Sequence, residues 1–167
     1  MRLSILYTDQ SKGNWVMKDP DPKVIKQLLV ELRDVNKTRR RTAVMKLGMV
    51  GGDQAVRALI NAVQNDYEDL IVRGRAAQML GKLRDNRAVD PLIRALEAPG
   101  FQTPVYAAQA LGRIGDVRAI EPLLMVAANG RDKTRDAAMH ALRQLGHEGE
   151  VEPGEENGHE LEPEPEA

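Results

Sequence analysis

Residues 72–85 read VRGRAAQMLGKLRD, and residues 103–116 read TPVYAAQALGRIGD. These two stretches decide the fold, because both belong to a pattern that recurs along most of the chain. A leucine returns every 31 to 33 residues, with an alanine four positions before it and an apolar residue three positions after it; the leucines are Leu47, Leu80, Leu111 and Leu142. Offsets of three and four place these positions on one helical face, and the small alanine lets a neighbouring helix approach closely.

A second apolar pattern follows in each unit and predicts a second helix. It comes after a turn that contains Asp53, Asp85 or Asp116, and its apolar residues again recur at helical spacing. We expect Asp85 and Asp116 to accept hydrogen bonds from backbone N–H groups, while Pro91 and Pro122 suit an early helical turn. The pattern predicts eight helices, near residues 21–34, 38–49, 54–65, 69–83, 88–98, 103–114, 118–129 and 132–146.

These helices predict an all-α fold, an α-solenoid in which helical hairpins stack into an alpha-alpha superhelix. Each pair exposes an apolar face that the next pair covers, so the core is continuous. The array occupies residues 21–146, with three full pairs between two half units. Residues 1–20 form a capping segment, where a short β-hairpin with Trp15 covers the first helix or, alternatively, has a binding role of its own. Residues 147–167 form a disordered acidic tail.

The repeat resembles the HEAT-like repeat of the phycobilisome (PBS) lyase type. The motif at residues 72–85 carries the resemblance, and the unit at residues 103–116 follows it except that Pro104 replaces the usual arginine. The resemblance covers residues 21–146. It implies a helical solenoid that acts as a protein-binding scaffold or adaptor, and less often an enzyme or a nucleic-acid binder.

Composition separates a basic body from an acidic tail. The net charge is −1, but nine glutamates and no lysine or arginine fall between residues 148 and 167, which leaves a formal +8 on residues 1–147. The tail either keeps the chain soluble or competes with polyanions for the basic body. Because the chain has no cysteine and no long apolar run, we expect a cytoplasmic protein that does not contact a membrane.

The second helices of such a solenoid generally line its concave side, which makes their solvent-facing residues the candidate surface for a protein partner. The predicted partner-binding residues are Lys26, Arg57, Asn61, Asp90, Arg94, Glu121 and Met125. Charge along this surface changes from basic at Lys26 and Arg57 to acidic at Asp90 and Glu121. Such a gradient suits a polar protein surface better than a phosphate backbone. The alternative is the mixed charge that any exposed helix carries.

A basic run offers a second interpretation, in which helix termini and arginines bind the phosphates of a nucleic acid. The run comprises Lys37, Arg39, Arg40, Arg41 and Lys46. Against this interpretation, Arg40 falls at a repeat position also occupied by Arg73 and Arg135, which favours a structural role.

The last helix lacks a second-helix partner and therefore leaves an apolar stripe uncovered. This stripe includes Met139, and a homodimer could form through it.

The sequence contains few residues that could be catalytic or could bind a metal. The His-Glu pairs at His147 and His159 resemble the di-iron ligands of deoxyhypusine hydroxylase, a HEAT-repeat enzyme, but both lie after the last helix, and His140 is expected at the surface. We therefore predict no metal, no cofactor and no catalytic residue, and hence a non-enzymatic protein. A bilin-lyase-like enzyme subunit remains an alternative that the resemblance alone implies.

Overall fold

A computed structural model describes residues 6–8, 15–17, 20–100, 102–130 and 132–147. In this part of the chain it confirms the predicted all-α solenoid of eight α-helices, after a short hairpin. The elements are β1 (Leu6–Thr8), β2 (Trp15–Met17), α1 (Pro22–Glu31), α2 (Lys37–Val50), α3 (Asp53–Gln64), α4 (Leu70–Leu83), α5 (Val89–Ala95), α6 (Gln102–Ile114), α7 (Ile120–Asn129) and α8 (Asp132–Gln144). Short 3-10 turns, Asn86–Ala88 and Val117–Ala119, lead into α5 and α7.

The helices form two layers around one continuous core. The first helices of the units, α2, α4, α6 and α8, pack each against the next, and the second helices, α1, α3, α5 and α7, lie beside them. The four repeating leucines that anchor the pattern are at most 2% exposed. The core therefore runs through every unit, as a stack of nearest neighbours requires.

Glycine sets the spacing within the layer of first helices. A Cβ atom added to Gly81 would lie 2.7 Å from the Ala110 Cα atom, and one added to Gly112 would lie 2.7 Å from the Ala141 Cα atom. Such distances leave no room for a side chain, so each glycine permits the backbone of the next first helix to come into contact. The sequence pattern attributed this close approach to alanine alone. In the structure, the contact needs a glycine on one helix and an alanine on the other.

The helix starts follow the predicted chemistry, and two helices end three residues before their predicted limits, α1 at Glu31 and α5 at Ala95. The side chain of Asp85 accepts a 3.0 Å bond from the backbone N–H of Arg87, and Asp116 accepts one of 3.0 Å from that of Arg118. Helix α5 ends at Ala95, three residues before the predicted end. Pro99 lies shortly beyond and cannot continue a helix, because it lacks an N–H donor.

The N-terminal hairpin forms as predicted at the level of the backbone. Strands β1 and β2 are antiparallel, with Leu6 opposite Met17 and Thr8 opposite Trp15. The side chains of both strands, the rest of residues 1–19 and the tail from residue 148 lie outside the described residues. Capping by Trp15, the domain limits and the state of the tail therefore stay predictions.

Candidate binding surface

The exposed side of the second helices carries every residue predicted to bind a partner. All seven are exposed, from Lys26 on α1 through Arg57, Asn61, Asp90, Arg94 and Glu121 to Met125 on α7. We call this surface the second-helix face. Met125 stands out on it, because 62% of a large apolar side chain faces solvent. The structure thus brings these residues to one layer, whereas their contact with a partner and the concave shape stay predictions.

Ion pairs between neighbouring units run along the start of the second helices. Arg118 donates a 3.0 Å bond to Asp90 and a 2.9 Å bond to Asp116, so it connects the third unit to the second. In the same way Arg87 pairs with Asp85 and with Asp53. The hydrogen bond from Arg87 lowers the pKa of the Asp53 carboxyl, and the one from Arg118 lowers the pKa of Asp116.

This arrangement gives Asp90 a structural role that the sequence did not indicate. Its carboxylate already holds Arg118, at 3.0 Å. Arg57 forms an exposed pair with Asp53 one helical turn away, at 3.0 Å. Lys26, Arg94 and Glu121 make no ion pair among the described residues, so they are the charged side chains of this face that remain available to a partner.

A cleft of about 880 Å³ opens between α5 and α7, beside the start of α6. Ile93, Leu96, Pro104, Met125 and Val126 supply apolar walls. In the part of the chain that the structure describes, the charged side chains that border the cleft are Glu97, Glu121 and Lys133. Its volume lies within the range of ~300–1,000 Å³ that is typical of ligand sites. The sequence predicted Glu121 and Met125 as binding residues but not the cleft, although the departure of Pro104 from the repeat was a signal for it.

The basic run is largely engaged inside the protein. Arg40 donates to Glu68 through Nε and a terminal nitrogen at 2.8–3.1 Å and to the Asp34 carbonyl at 2.8 Å. Arg41 forms a two-pronged pair with Asp69 at 2.8–2.9 Å, which lowers the pKa of the Asp69 carboxyl. Both arginines are about four-fifths buried and join the first unit to the second.

Two further cations of the run also have carboxylate partners. Arg39 lies 2.9 Å from Asp34, and Lys46 lies 3.6 Å from Glu31. Four of the five basic side chains are thus compensated, which leaves little charge to neutralise phosphates. The nucleic-acid interpretation of this run is not supported.

Neither a metal site nor a dimer surface is found among the described residues. No group of three histidine or acidic side chains comes together in that part of the chain, and His140 is exposed on α8. The glutamate of one His-Glu pair and both members of the other lie outside it. Met139 is 37% exposed, but its exposed neighbours on α8 include His140, Arg143 and Gln144. This polar surface gives no support to the predicted homodimer.

No described helix combines the length and hydropathy that a bilayer crossing requires. Comparison with known proteins identifies the repeats directly. Residues 25–103 match the family model for HEAT repeats, and residues 104–129 match the model for the PBS lyase HEAT-like repeat. No protein with a curated description matches the sequence.

Solved structures of similar fold include two natural proteins and one engineered protein. The complex of CpcE and CpcF of phycocyanin lyase from Nostoc sp. PCC7120 matches with 30% identity and a TM-score of 0.64 over 73% of this chain and 53% of that one. Human deoxyhypusine hydroxylase matches with 24% identity and a TM-score of 0.66, over 80% of this chain and 47% of the other. An engineered protein matches with 18% identity and a TM-score of 0.55, over 75% and 63%. The chain spans about half the length of the two natural proteins.

These comparisons correct one prediction. The assignment to a non-enzymatic class is wrong, because the PBS lyase repeat and the match to a phycocyanin lyase connect this sequence to lyase-type proteins. Deoxyhypusine hydroxylase shows that the same fold also occurs in a second kind of enzyme. The prediction was wrong because it rested on the side chains of one chain, whereas the lyase structure is a complex of two proteins.

Proposed function

The chain belongs to the HEAT-repeat family, and from this we propose that it binds a protein partner through the second-helix face. Contacts between the layers bury the apolar side chains of this family, so recognition depends on the residues that the solenoid leaves exposed. The observation that carries the proposal is the cleft between α5 and α7, with exposed Met125 and the available charge of Glu121 on its border.

The solved relatives support a protein as the partner. The phycocyanin lyase structure is a complex of CpcE with CpcF, so a chain of similar fold has been seen bound to another protein. The face itself carries both signs of charge and the largely exposed apolar side chain of Met125. A mixture of this kind suits a protein surface, whereas a nucleic acid would favour uniform positive charge.

Charge reversal on the face tests the proposal. The full chain serves as bait in extracts of its native cell, and captured proteins are identified by mass spectrometry. We expect the double variant Lys26→Glu, Arg94→Glu to lose specific partners that the wild type retains, since neither cation makes an ion pair among the described residues. Arg57 and Asp90 stay unchanged, because their reversal would also break the pairs with Asp53 and Arg118.

A matched control reverses two cations on the first helices. Lys82 on α4 and Arg143 on α8 are exposed and make no ion pair among the described residues. The variant Lys82→Glu, Arg143→Glu therefore changes the net charge equally but on the other layer, and it should retain the partners. Equal capture by all three proteins would exclude the second-helix face as the binding surface.

A second candidate function is a subunit of a lyase-type enzyme, which the PBS lyase repeat and the 30% identity to the phycocyanin lyase structure favour. It is compatible with protein binding, since such a subunit would work in a complex. A pull-down with purified phycocyanin tests it, and failure to bind at micromolar concentration would count against it. A cytoplasmic location stays a prediction.

A further inference from the structure

The cleft lies where the repeat pattern is broken. At this position the second unit has Arg73, which is only 4% exposed and reaches back to the unit before it. Its Nε atom donates to the Val63 carbonyl at 3.2 Å, near the end of α3, and a terminal nitrogen lies 3.1 Å from Asp66. The first unit has Arg40, which reaches the Asp34 carbonyl at 2.8 Å, just beyond α1. An arginine here fills the space where one unit meets the next.

The third unit has no such side chain. Pro104 is buried at the start of α6, and its short ring cannot extend to the end of α5 as a guanidinium would. Helix α5 adds to the gap, because it ends at Ala95, whereas α3 continues to Gln64, two residues beyond the position that corresponds to Ala95. Leu96, which lies at the repeat position of Val63, consequently borders the open cleft together with Pro104. The sequence change and the cavity coincide.

The charge at the border of the cleft follows from the same repeat. Glu121 occupies on α7 the position that Asp90 occupies on α5, 31 residues earlier. Asp90 accepts a bond from Arg118 of the following unit at 3.0 Å. Glu121 receives no corresponding bond among the described residues, although it is exposed. Among the described residues, Glu97 adds a second carboxylate to the border, and Lys133 adds one ammonium group.

We propose that the cleft is a pocket for one segment of a protein partner, in which a large apolar side chain enters between α5 and α7 and a neighbouring arginine or lysine pairs with Glu121. The apolar side chain of the partner would supply the contacts that Met125 and Ile93 now lack. Its cation would pair with Glu121 as Arg118 pairs with Asp90. Burying such an anchor within a ring of polar groups is typical of the residues that dominate protein interfaces. This inference rests on the proposed function and specifies the chemistry of the partner.

Random peptides displayed on phage provide the probe. They are selected on the immobilised full chain, and one enriched peptide is synthesised for titration by fluorescence anisotropy. We expect enriched peptides to share an aliphatic or aromatic residue close to an arginine or lysine. We expect the peptide to bind Pro104→Arg and Glu121→Lys at least about tenfold more weakly, because the first fills the cleft and the second reverses its charge.

The variant Val30→Arg is the matched control. Val30 is 67% exposed on α1, in the same layer but outside the cleft, and its replacement adds the same side chain as Pro104→Arg. It should bind the peptide as the wild type does. Thermal unfolding checks the fold of Pro104→Arg, which restores the residue of the other units. If that variant fails to fold, Met125→Lys replaces it, because Met125 is largely exposed and its substitution leaves the core intact.

The outcomes separate the cleft from the wider face. Selection of no peptide, selection of peptides without a basic residue, or equal affinity of wild type and Pro104→Arg would each overturn the pocket. A peptide that still binds Pro104→Arg but is lost from the Lys26→Glu, Arg94→Glu variant would overturn the pocket and leave the second-helix face standing. Loss of binding to the cleft variants, with retention by Val30→Arg, would support the pocket, whereas the capture experiment with the double variant tests the wider face.

Discussion

Replacing Gly81 by alanine should destabilise the solenoid, although alanine is the better helix former. The added Cβ atom would lie 2.7 Å from the Ala110 Cα atom and 2.8 Å from its Cβ atom, and both belong to helix α6. No flexible side chain can move aside there, so α6 itself must shift. We therefore place the packing penalty near the upper end of the range of ~1–3 kcal/mol for overpacked cores.

The gain in helix propensity offsets only part of this penalty. Alanine is favoured over glycine by about 1 kcal/mol within a helix, so we expect a net loss of roughly 2 kcal/mol in the free energy of unfolding. For a chain of this size, that loss lowers the melting temperature by about 4–8 °C. Far-UV circular dichroism during heating, and in a urea titration, measures both quantities.

Gly74 on the same helix provides the control. A Cβ atom added there would approach a ring carbon of Tyr106 at 3.2 Å, which a slight turn of that half-buried ring can relieve. Gly74→Ala therefore keeps most of the gain of up to about 1 kcal/mol and should match or exceed the wild type in stability. If Gly81→Ala proves as stable as Gly74→Ala, the close approach of α4 and α6 does not depend on glycine, and the reasoning is refuted.

Three further predictions concern the core and the ion pairs. Leu111→Ala, at a fully buried position, should lower the free energy of unfolding by ~2–5 kcal/mol in urea titrations, and an effect as small as that of a surface change would contradict the assigned core. Arg40→Ala should cost ~1–3 kcal/mol, because it leaves Glu68, whose side chain is 10% exposed, without its partner. Arg39→Ala, which removes a side chain that is 70% exposed, should leave stability unchanged, and equal effects would contradict the structural role of Arg40. The bond from Arg41 lowers the folded-state pKa of Asp69. The contribution of this ion pair to the free energy of unfolding is therefore present above the ordinary pKa of 3.8, and it is lost as the pH falls through the folded-state pKa. Asp69→Asn, which can still cap α4, should therefore make stability less dependent on pH in the acid range, and an unchanged pH profile would exclude this linkage.

The cleft shows where sequence and structure each contribute. The alignment of the units revealed Pro104 as a departure from the pattern, but the repeat gave no position for the missing guanidinium. Only the path of Arg73, from the start of α4 to the Val63 carbonyl, shows which space such an arginine fills. The prediction of Glu121 and Met125 as binding residues came from helical register alone, and the structure adds that both border one cavity.

The basic run shows the opposite result. The repeat position of Arg40 favoured a structural role, but the sequence does not show which acidic residues lie opposite the run. The partners of Arg40 and Arg41 are 28 residues away, at the start of the next first helix. An ion pair of this kind depends on how two units are stacked, which local periodicity does not define.

The sequence by itself determined the eight helices, the unit length and the buried leucines, because helical periodicity and capping act over a few residues. It also determined which positions of the second helices face solvent. Only the tertiary structure decided that glycine sets the spacing of the first helices, that the arginines join consecutive units, and that a cleft opens beside Pro104. These features depend on distances between units about 30 residues apart, where small side chains and short helices change the packing without changing the pattern.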